Sequence, residues 1–450
     1  MDNYQIKTPL LKHQSSAVDL IANKTYYAML WECGCGKTLG VIAIIACRKQ
    51  RFPKYRTLVV CPSTLLENWQ EEIDKHSNLS SVLLVGSKDK RIKLLSKVAD
   101  IYIINYEGLR VIEDKLKYKF NLIVFDESQN LKQHTSLQSK AGYAVAKTTP
   151  HRLILTGTPI YNHVLDIFGQ YRVLSDNIFG SSFRVFRAKY ALMGGYMGKQ
   201  VITAINTEDL SHKMSLCSDM KTKDQVLDLP PRVYETVRVD LPDEQVKVYK
   251  QLKTEFLAMF NNKEVTGPVI VTRLMRFSQI TAGFIKNIDG DEEPFKTNPK
   301  LDWLIDWLNE HKHKVVIFVR FLKEIAELEG RLKKNGTNFV SIYGAITDRQ
   351  SLVNKFNSDP DCRVFIGQID TASAGINLQS ASYCIFLSNS YSYGDREQAE
   401  SRIHRQGQKA KSCTYIDVIA RDTIDERILK VLRSKQSVAN MLVADLKEVV

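Results

Sequence analysis

Trp31-Glu32-Cys33-Gly34-Cys35-Gly36-Lys37-Thr38 follows an apolar, β-rich run, Thr25–Leu30, and opens a helical pattern from Lys37 to about Lys49. Glycines at such a junction let backbone N–H groups curl round phosphate oxygens, and the helix N-terminus adds partial positive charge there. In this arrangement Gly34, Cys35 and Gly36 wrap a nucleotide's phosphates. Lys37 holds the β- and γ-phosphates, and Thr38 ligates Mg²⁺. Trp31 stands where the fuller phosphate-loop pattern has its first glycine. The competing reading is a plain glycine turn; Gly-x-Gly-Lys-Thr between a strand and a helix favours the phosphate loop.

Phosphate chemistry needs acids too, because Mg²⁺ and an attacking water both call for carboxylates. Leu122-Ile123-Val124-Phe125-Asp126-Glu127-Ser128-Gln129 supplies them as a buried type of strand ending in two acids. Asp126 is expected to hold Mg²⁺, directly or through water, and Glu127 to orient and deprotonate the water. An Asp-Glu pair after a strand is commonplace by itself, and the loop at Lys37 is what makes it specific.

Strand-like runs alternate with helical patterns along the chain, the mark of parallel sheets covered by helices. In the first half they are Thr25–Leu30, Thr57–Cys61, Ser81–Val85, Asp100–Asn105, Leu122–Phe125 and Arg152–Leu155. In the second they are Lys314–Val319, Phe339–Tyr343, Arg363–Gly367, Tyr383–Leu387 and Thr414–Ile419. Between them, from about Leu165 to Asn298, the pattern is mostly helical and polar, broken at Pro230-Pro231. Two α/β lobes are expected, residues 1–235 and 236–450, with a joint near Leu229–Val239.

Several stretches carry a family resemblance. Asp126-Glu127-Ser128-Gln129 resembles the DExx box of superfamily two helicases. Leu155-Thr156-Gly157-Thr158-Pro159-Ile160 resembles their motif coupling nucleotide state to nucleic-acid binding. Tyr161-Asn162 through Leu174, Ile178-Phe179-Gly180-Ser181 and Lys223 to Pro231 resemble the Swi/Snf-type DNA translocases specifically. Met220-Lys221 stand where that family usually carries two arginines. In the second half Lys314–Arg320 with Phe321, Ile369–Leu378 and Gln398–Gln408 match in order, with Ala372-Ser373 in place of a double glycine. The resemblance runs from about Leu11 to Lys435.

It implies two RecA-like parallel-sheet lobes with helical protrusions and an ATP site in the cleft between them. Arg402 and Arg405 are then arginine fingers aimed at the γ-phosphate; at i and i+3 of a helix they would point the same way. Gln14, within Leu10-Leu11-Lys12-His13-Gln14, resembles the family's adenine reader, and Gln129 and Gly375 fall among its nucleotide contacts. The loops that follow strands offer hydroxyls, amides and cations suited to a phosphate backbone: Ser63, Thr64, Asn105, Tyr106, Arg320, Phe321, Tyr343 and Thr371. For Trp69 and Phe321, packing in the core is the simpler assignment.

Composition agrees with this reading without deciding it. The chain has 450 residues, more than one ordinary core accommodates, and 63 Lys+Arg against 50 Asp+Glu give a net charge of +13, which favours a polyanionic partner. Its 8 cysteines show no zinc spacing and suit a reducing compartment. No signal peptide or membrane-length apolar run is visible, so a soluble intracellular protein without a membrane partner is expected, in the cytoplasm or nucleoid of a bacterium or archaeon, or in a host cell if viral. Three functions compete: a double-stranded DNA translocase, a strand-separating or annealing DNA or RNA helicase with forked or single-stranded DNA as substrate, and a nucleotide-controlled binding module without hydrolysis. Intact Lys37, Thr38, Asp126, Glu127, Arg402 and Arg405 weigh against the third, and the Swi/Snf-like stretches favour the first.

Overall fold

The computed structural model describes residues 6–160, 163–194, 200–261, 267–286, 291–344, 346, 348–369 and 376–434. The chain divides into two compact units, Met1–Asp228 and Leu229–Val450. The division thus falls a few residues before the expected 235/236, because Arg232–Val239 is a strand of the second sheet.

In the first unit β1 (Tyr26–Trp31), β2 (Thr57–Cys61), β3 (Ser81–Leu83), β4 (Ile101–Asn105), β5 (Leu122–Asp126) and β6 (His151–Leu155) fall where the apolar runs predict. The hairpin β7 (Ala191–Gly194) and β8 (Gln200–Ala204), and the strand β9 (Ser218–Lys221), arise inside the stretch expected to be helical. Ser218-Asp219-Met220-Lys221 lacks the alternation that marks a strand, and it is recruited by the exposed edge of β1. The sheet order is β3-β4-β2-β5-β6-β1-β9, and every ladder in it is parallel. Alternate strand residues therefore enter opposite cores. Met29, Val59, Ile103 and Val124 pack with helices α1 (Lys12–Ile21), α2 (Lys37–Arg51) and α3 (Leu66–His76). Leu30, Val60, Ile104 and Phe125 pack on the other face with the helices Leu137–Lys147 and Asp166–Arg172. Parallel strands put all their C-terminal ends on one edge, where the phosphate loop, both acids and Thr156 emerge.

The second unit is built on β10 (Arg232–Val239), β13 (Val315–Val319), β14 (Phe339–Ile342), β15 (Val364–Gln368), β16 (Tyr383–Phe386) and β17 (Cys413–Ala420). Their order is β10-β17-β16-β13-β15-β14, again parallel throughout. A short antiparallel pair, β11 (Phe284–Lys286) and β12 (Glu292–Pro294), stands apart from this sheet. Both units thus show the expected RecA-like layering of helices on either face of a parallel sheet. Arg396 fixes the helix Tyr393–Glu400 onto the sheet: its guanidinium pairs with Asp417 of β17 and with Glu400 at 2.7 Å, and lies 3.5 Å from the Phe386 ring centroid. Among the described residues no helix is long and apolar enough to cross a membrane.

Glycine sets one close approach in this fold. A Cβ added at Gly169 would sit 2.0 Å from the Leu131 carbonyl oxygen, just after the two acids in sequence, whereas one added at Gly330 on the helix Leu322–Lys334 meets nothing within 4 Å. Gly169→Ala is therefore expected to lower the unfolding free energy of the first unit by about 1–3 kcal/mol, through overpacking. Gly330→Ala should raise that of the second by about 0.5–1 kcal/mol through helix propensity. Urea titrations of both variants check the pair of opposite signs.

Candidate functional site

The loop after β1 turns on two glycines with left-handed backbone, Gly34 at φ 95° and Gly36 at φ 76°, and Gly36 caps α2 at Lys37. Gln14 clamps it: its amide donates to the Gly36 carbonyl at 3.0 Å and accepts from the Leu11 N–H at 2.8 Å. Gln14 is buried. Cys35 is buried as well, its thiol pushed up to about 11 chiefly by desolvation, while Thr38 is half-buried on the first turn of α2. Trp31 has a structural reason to replace glycine. Its ring closes the core, its Nε1–H donates to Asp219 of β9 at 2.9 Å, and its carbonyl accepts from Lys37 Nζ at 2.8 Å.

Lys37 also donates to the Glu32 carbonyl at 3.3 Å, so its ammonium rests on two acceptors that phosphate oxygens can replace. Burial pulls its pKa down, but Cys33, Glu127 and Asp126 outweigh burial and the net shift is upward. Asp126 is 7% exposed, and its pKa is pushed up to about 6, first by burial and then by the adjacent Glu127, against the lowering effect of Lys37. Two neighbouring acids against one ammonium leave an excess of negative charge. A divalent cation beside Asp126 would offset it, so the acids fit Mg²⁺ arriving with a nucleotide. Among the described residues no group of three or more His, Cys, Asp and Glu could hold a metal ion.

The two acids are held from several sides. Trp69 donates its indole N–H to Asp126 Oδ2 at 2.8 Å, and the Glu127 N–H donates to Asp126 Oδ1 at 2.9 Å. Glu127 itself takes a left-handed backbone, φ 49°, uncommon for a residue with a side chain and a form of local strain often found at functional sites. Gln129 donates to Glu127 Oε2 at 2.8 Å and accepts from the Thr156 hydroxyl at 2.9 Å, and Thr156 in turn accepts from the Thr158 N–H at 3.0 Å. Gln129 thus links the acids to the segment after β6. A second bridge runs from Ser128 through Gln170 to the Pro159 carbonyl. Gly157 lies so close to the phosphate loop that an added Cβ would be 3.1 Å from the Cys33 nitrogen.

The nucleic-acid candidates separate into distinct environments. Ser63 and Thr64 are exposed on the turn after β2. Asn105 is half-buried and caps the helix Tyr106–Val111, accepting from the Gly108 N–H at 3.1 Å and from Arg91 at 3.2 Å. Tyr106 is 3% exposed and its hydroxyl donates to the Asp126 carbonyl at 2.8 Å. In the second unit Arg320 stacks on Tyr391, 4.3 Å from its centroid, Phe321 packs edge-on against Phe284, and Tyr343 is half-buried beside the core. Thr371 and Gly375 lie outside the described residues, as do Ala372-Ser373 and Tyr161-Asn162.

Arg402 and Arg405 are not on a helix, because that helix ends at Glu400 and both lie in the turns beyond it. They converge all the same: each donates to the Ile376 carbonyl, at 3.3 and 3.5 Å. Between them His404 accepts from Arg232 Nε–H at 3.1 Å, which makes Nδ1 the unprotonated nitrogen and Nε2–H the donor to the Pro230 carbonyl at 2.9 Å. Trp69, Tyr106 and His404 have these supporting roles without any local signal in the sequence, since each partner lies far along the chain.

A glycine-rich loop and an acid pair thus stand at one edge of the first parallel sheet, and two arginines converge on one carbonyl in the second unit. Residues 23–282 match the SNF2-related domain and residues 299–407 the helicase conserved C-terminal domain, and the chain belongs to the SNF2-related family. It is similar to an uncharacterized ATP-dependent helicase of Mycoplasma genitalium, 27% identical over 99% of this chain and 43% of that protein. The TATA-binding protein-associated factor of Saccharomyces cerevisiae is 26% identical over 97% and 28%, and the DNA annealing helicase and endonuclease of Homo sapiens 25% identical over 99% and 41%. The chain spans less than half the length of each of these relatives. Among solved structures, the Sulfolobus solfataricus SWI2/SNF2 ATPase core in complex with dsDNA is 25% identical, with a TM-score of 0.48, over 99% of this chain and 95% of that one.

The charge balance at Asp126 has a consequence for the protein without nucleotide. A carboxyl raised from 3.8 to about 6 on folding contributes stability that is full below about pH 4 and is lost as pH rises through about 6. Asp126→Asn removes that loss. The variant should melt at a higher temperature than wild type near pH 7.5, and the difference should vanish towards pH 4. Paired melting curves across this window check the sign.

Proposed function

We propose that this chain is the motor core of an ATP-dependent double-stranded DNA translocase. Family membership carries the reading, and the phosphate loop and acid pair supply its chemistry. Gly34, Cys35, Gly36 and Lys37 hold the phosphates, Thr38 and Asp126 hold Mg²⁺, and Glu127 orients the attacking water and takes its proton. Mg²⁺, when bound, neutralises charge on the β- and γ-phosphates. Arg402 and Arg405 stabilise the charge that develops on the γ-phosphate, and their convergence on one carbonyl supports joint action. The net charge of +13, the exposed hydroxyls of Ser63 and Thr64 and the cation Arg320 suit a phosphate backbone, with sequence-independent binding that weakens with salt. A relative named as a DNA annealing helicase supports DNA as the track.

Lys37→Ala should lose most nucleotide affinity and all hydrolysis, whereas Glu127→Gln should bind ATP and fail to turn it over. Arg402→Ala and Arg405→Ala should keep ATP binding and slow hydrolysis by at least about a hundredfold, within the reach of arginine fingers. The decisive comparison measures ATPase with single strands, duplex, forks and RNA, beside triplex displacement and unwinding of a long duplex. Strong duplex stimulation with triplex displacement is expected. Efficient unwinding without displacement would replace the translocase by a helicase.

A further inference from the structure

Two loops at the C-terminal edge of the first sheet are each tethered to Asp126 by a buried aromatic side chain. After β2, the turn Ser63–Leu65 presents exposed Ser63 and Thr64 and runs directly into α3. Trp69, on the first turns of α3, is 1% exposed and donates its Nε1–H to Asp126 Oδ2 at 2.8 Å. After β4, Asn105 caps its helix and accepts from Arg91, and the next residue, Tyr106, donates its hydroxyl to the Asp126 carbonyl at 2.8 Å. The strand order β4-β2-β5 explains the meeting: both loops flank the tip of β5 on the same side.

Neither tether can slacken quietly. Close-packed cores do not deform continuously, and a buried donor parted from its acceptor is left unsatisfied. A displacement of either loop by a bound backbone is therefore passed to Asp126, through its carboxylate by Trp69 and through its main chain by Tyr106. Fold order alone would be served by apolar rings; an indole N–H and a phenol O–H, both ending on one acidic residue, serve that residue.

We infer that Trp69 and Tyr106 are positioning residues through which a nucleic-acid backbone seated on Ser63, Thr64 and Asn105 sets the hold of Asp126 on metal-bound nucleotide. This rests on the proposed function, in which Asp126 holds Mg²⁺ and these loops meet phosphates. It adds the route by which duplex reaches the nucleotide site.

The test measures the affinity of the full chain for a fluorescent ADP, with Mg²⁺ or with EDTA, with and without saturating duplex. Coupling between two sites is commonly about 5–150-fold and is reciprocal, so duplex affinity with and without nucleotide must change by the same factor. Trp69→Phe should bring the duplex effect on Mg²⁺·ADP affinity at least about fivefold closer to one, while affinity in EDTA and for duplex alone stays within about twofold of wild type. Tyr106→Phe should act in the same direction but less, because it bonds the main chain. Tyr102→Phe is the control for packing, since this buried β4 tyrosine bonds the Lys97 carbonyl and not Asp126, and it should keep the wild-type factor. Full coupling in Trp69→Phe overturns the inference, and so does equal loss in Tyr102→Phe. If duplex leaves wild-type nucleotide affinity unchanged, or Lys37→Ala binds ADP normally, the proposed function falls with it. A coupled wild type beside an unaffected Trp69→Phe sinks this inference alone.

Discussion

The Lys37 ammonium and the Asp126 carboxylate are both withdrawn from water, with Glu127 beside them, at the ends of two strands of one sheet. Burial and the adjacent Glu127 both disfavour the charged form of Asp126. Lys37 offsets part of the charge and leaves an excess of negative charge at this edge of the sheet. The surrounding side chains hold this imbalance in place. Trp69 and the Glu127 N–H occupy the two oxygens of Asp126, Tyr106 holds its carbonyl, and Gln129 holds Glu127. Native proteins commonly retain such unfavourable charge where chemistry requires it, at the expense of stability.

The strand order β5-β6-β1 puts one strand between the acids and the phosphate loop. The segment leaving β6 therefore touches both: Thr156 through Gln129, and Gly157 against the Cys33 backbone. A side chain at Gly157 would push the phosphate loop away, and loss of the Thr156 hydroxyl would leave Gln129 without its donor. Hydrogen bonds from Ser128 through Gln170 to the Pro159 carbonyl continue this contact from the acid strand.

The second unit solves a different problem, which is to hold two long cations near each other outside a helix. Its answer is a buried ion cluster, Arg396 with Asp417 and Glu400, immediately before the arginine turn, and a histidine of fixed tautomer within it. Tyr234 adds a hydrogen bond to Glu400 at 2.7 Å, so the first residues of this unit brace the same turn. Breaking a buried ion pair by removing one partner costs about 3–5 kcal/mol, which makes the cluster a firm base for Arg402 and Arg405.

Local order was legible in the residues themselves. All eleven strands read from apolar runs are present within a residue or two of their expected ends, and the glycines and acids fall at the strand tips that give them meaning. Periodicity and turn chemistry act over a few residues, so a single sequence carries them. The strand Ser218–Lys221 was not legible, because its pairing is offered by the edge of β1 and not by its own composition. Nor was the end of the helix at Glu400, two residues before the arginines expected to share it. The amides of Gln14 and Gln129 are engaged within the protein, and Tyr106 faces inward, for the same kind of reason. Trp69 meets an acid 57 residues away and Trp31 one 188 residues away. A hydrogen-bond partner at that distance along the chain is chosen by which strands become neighbours, and only the folded sheet decides that.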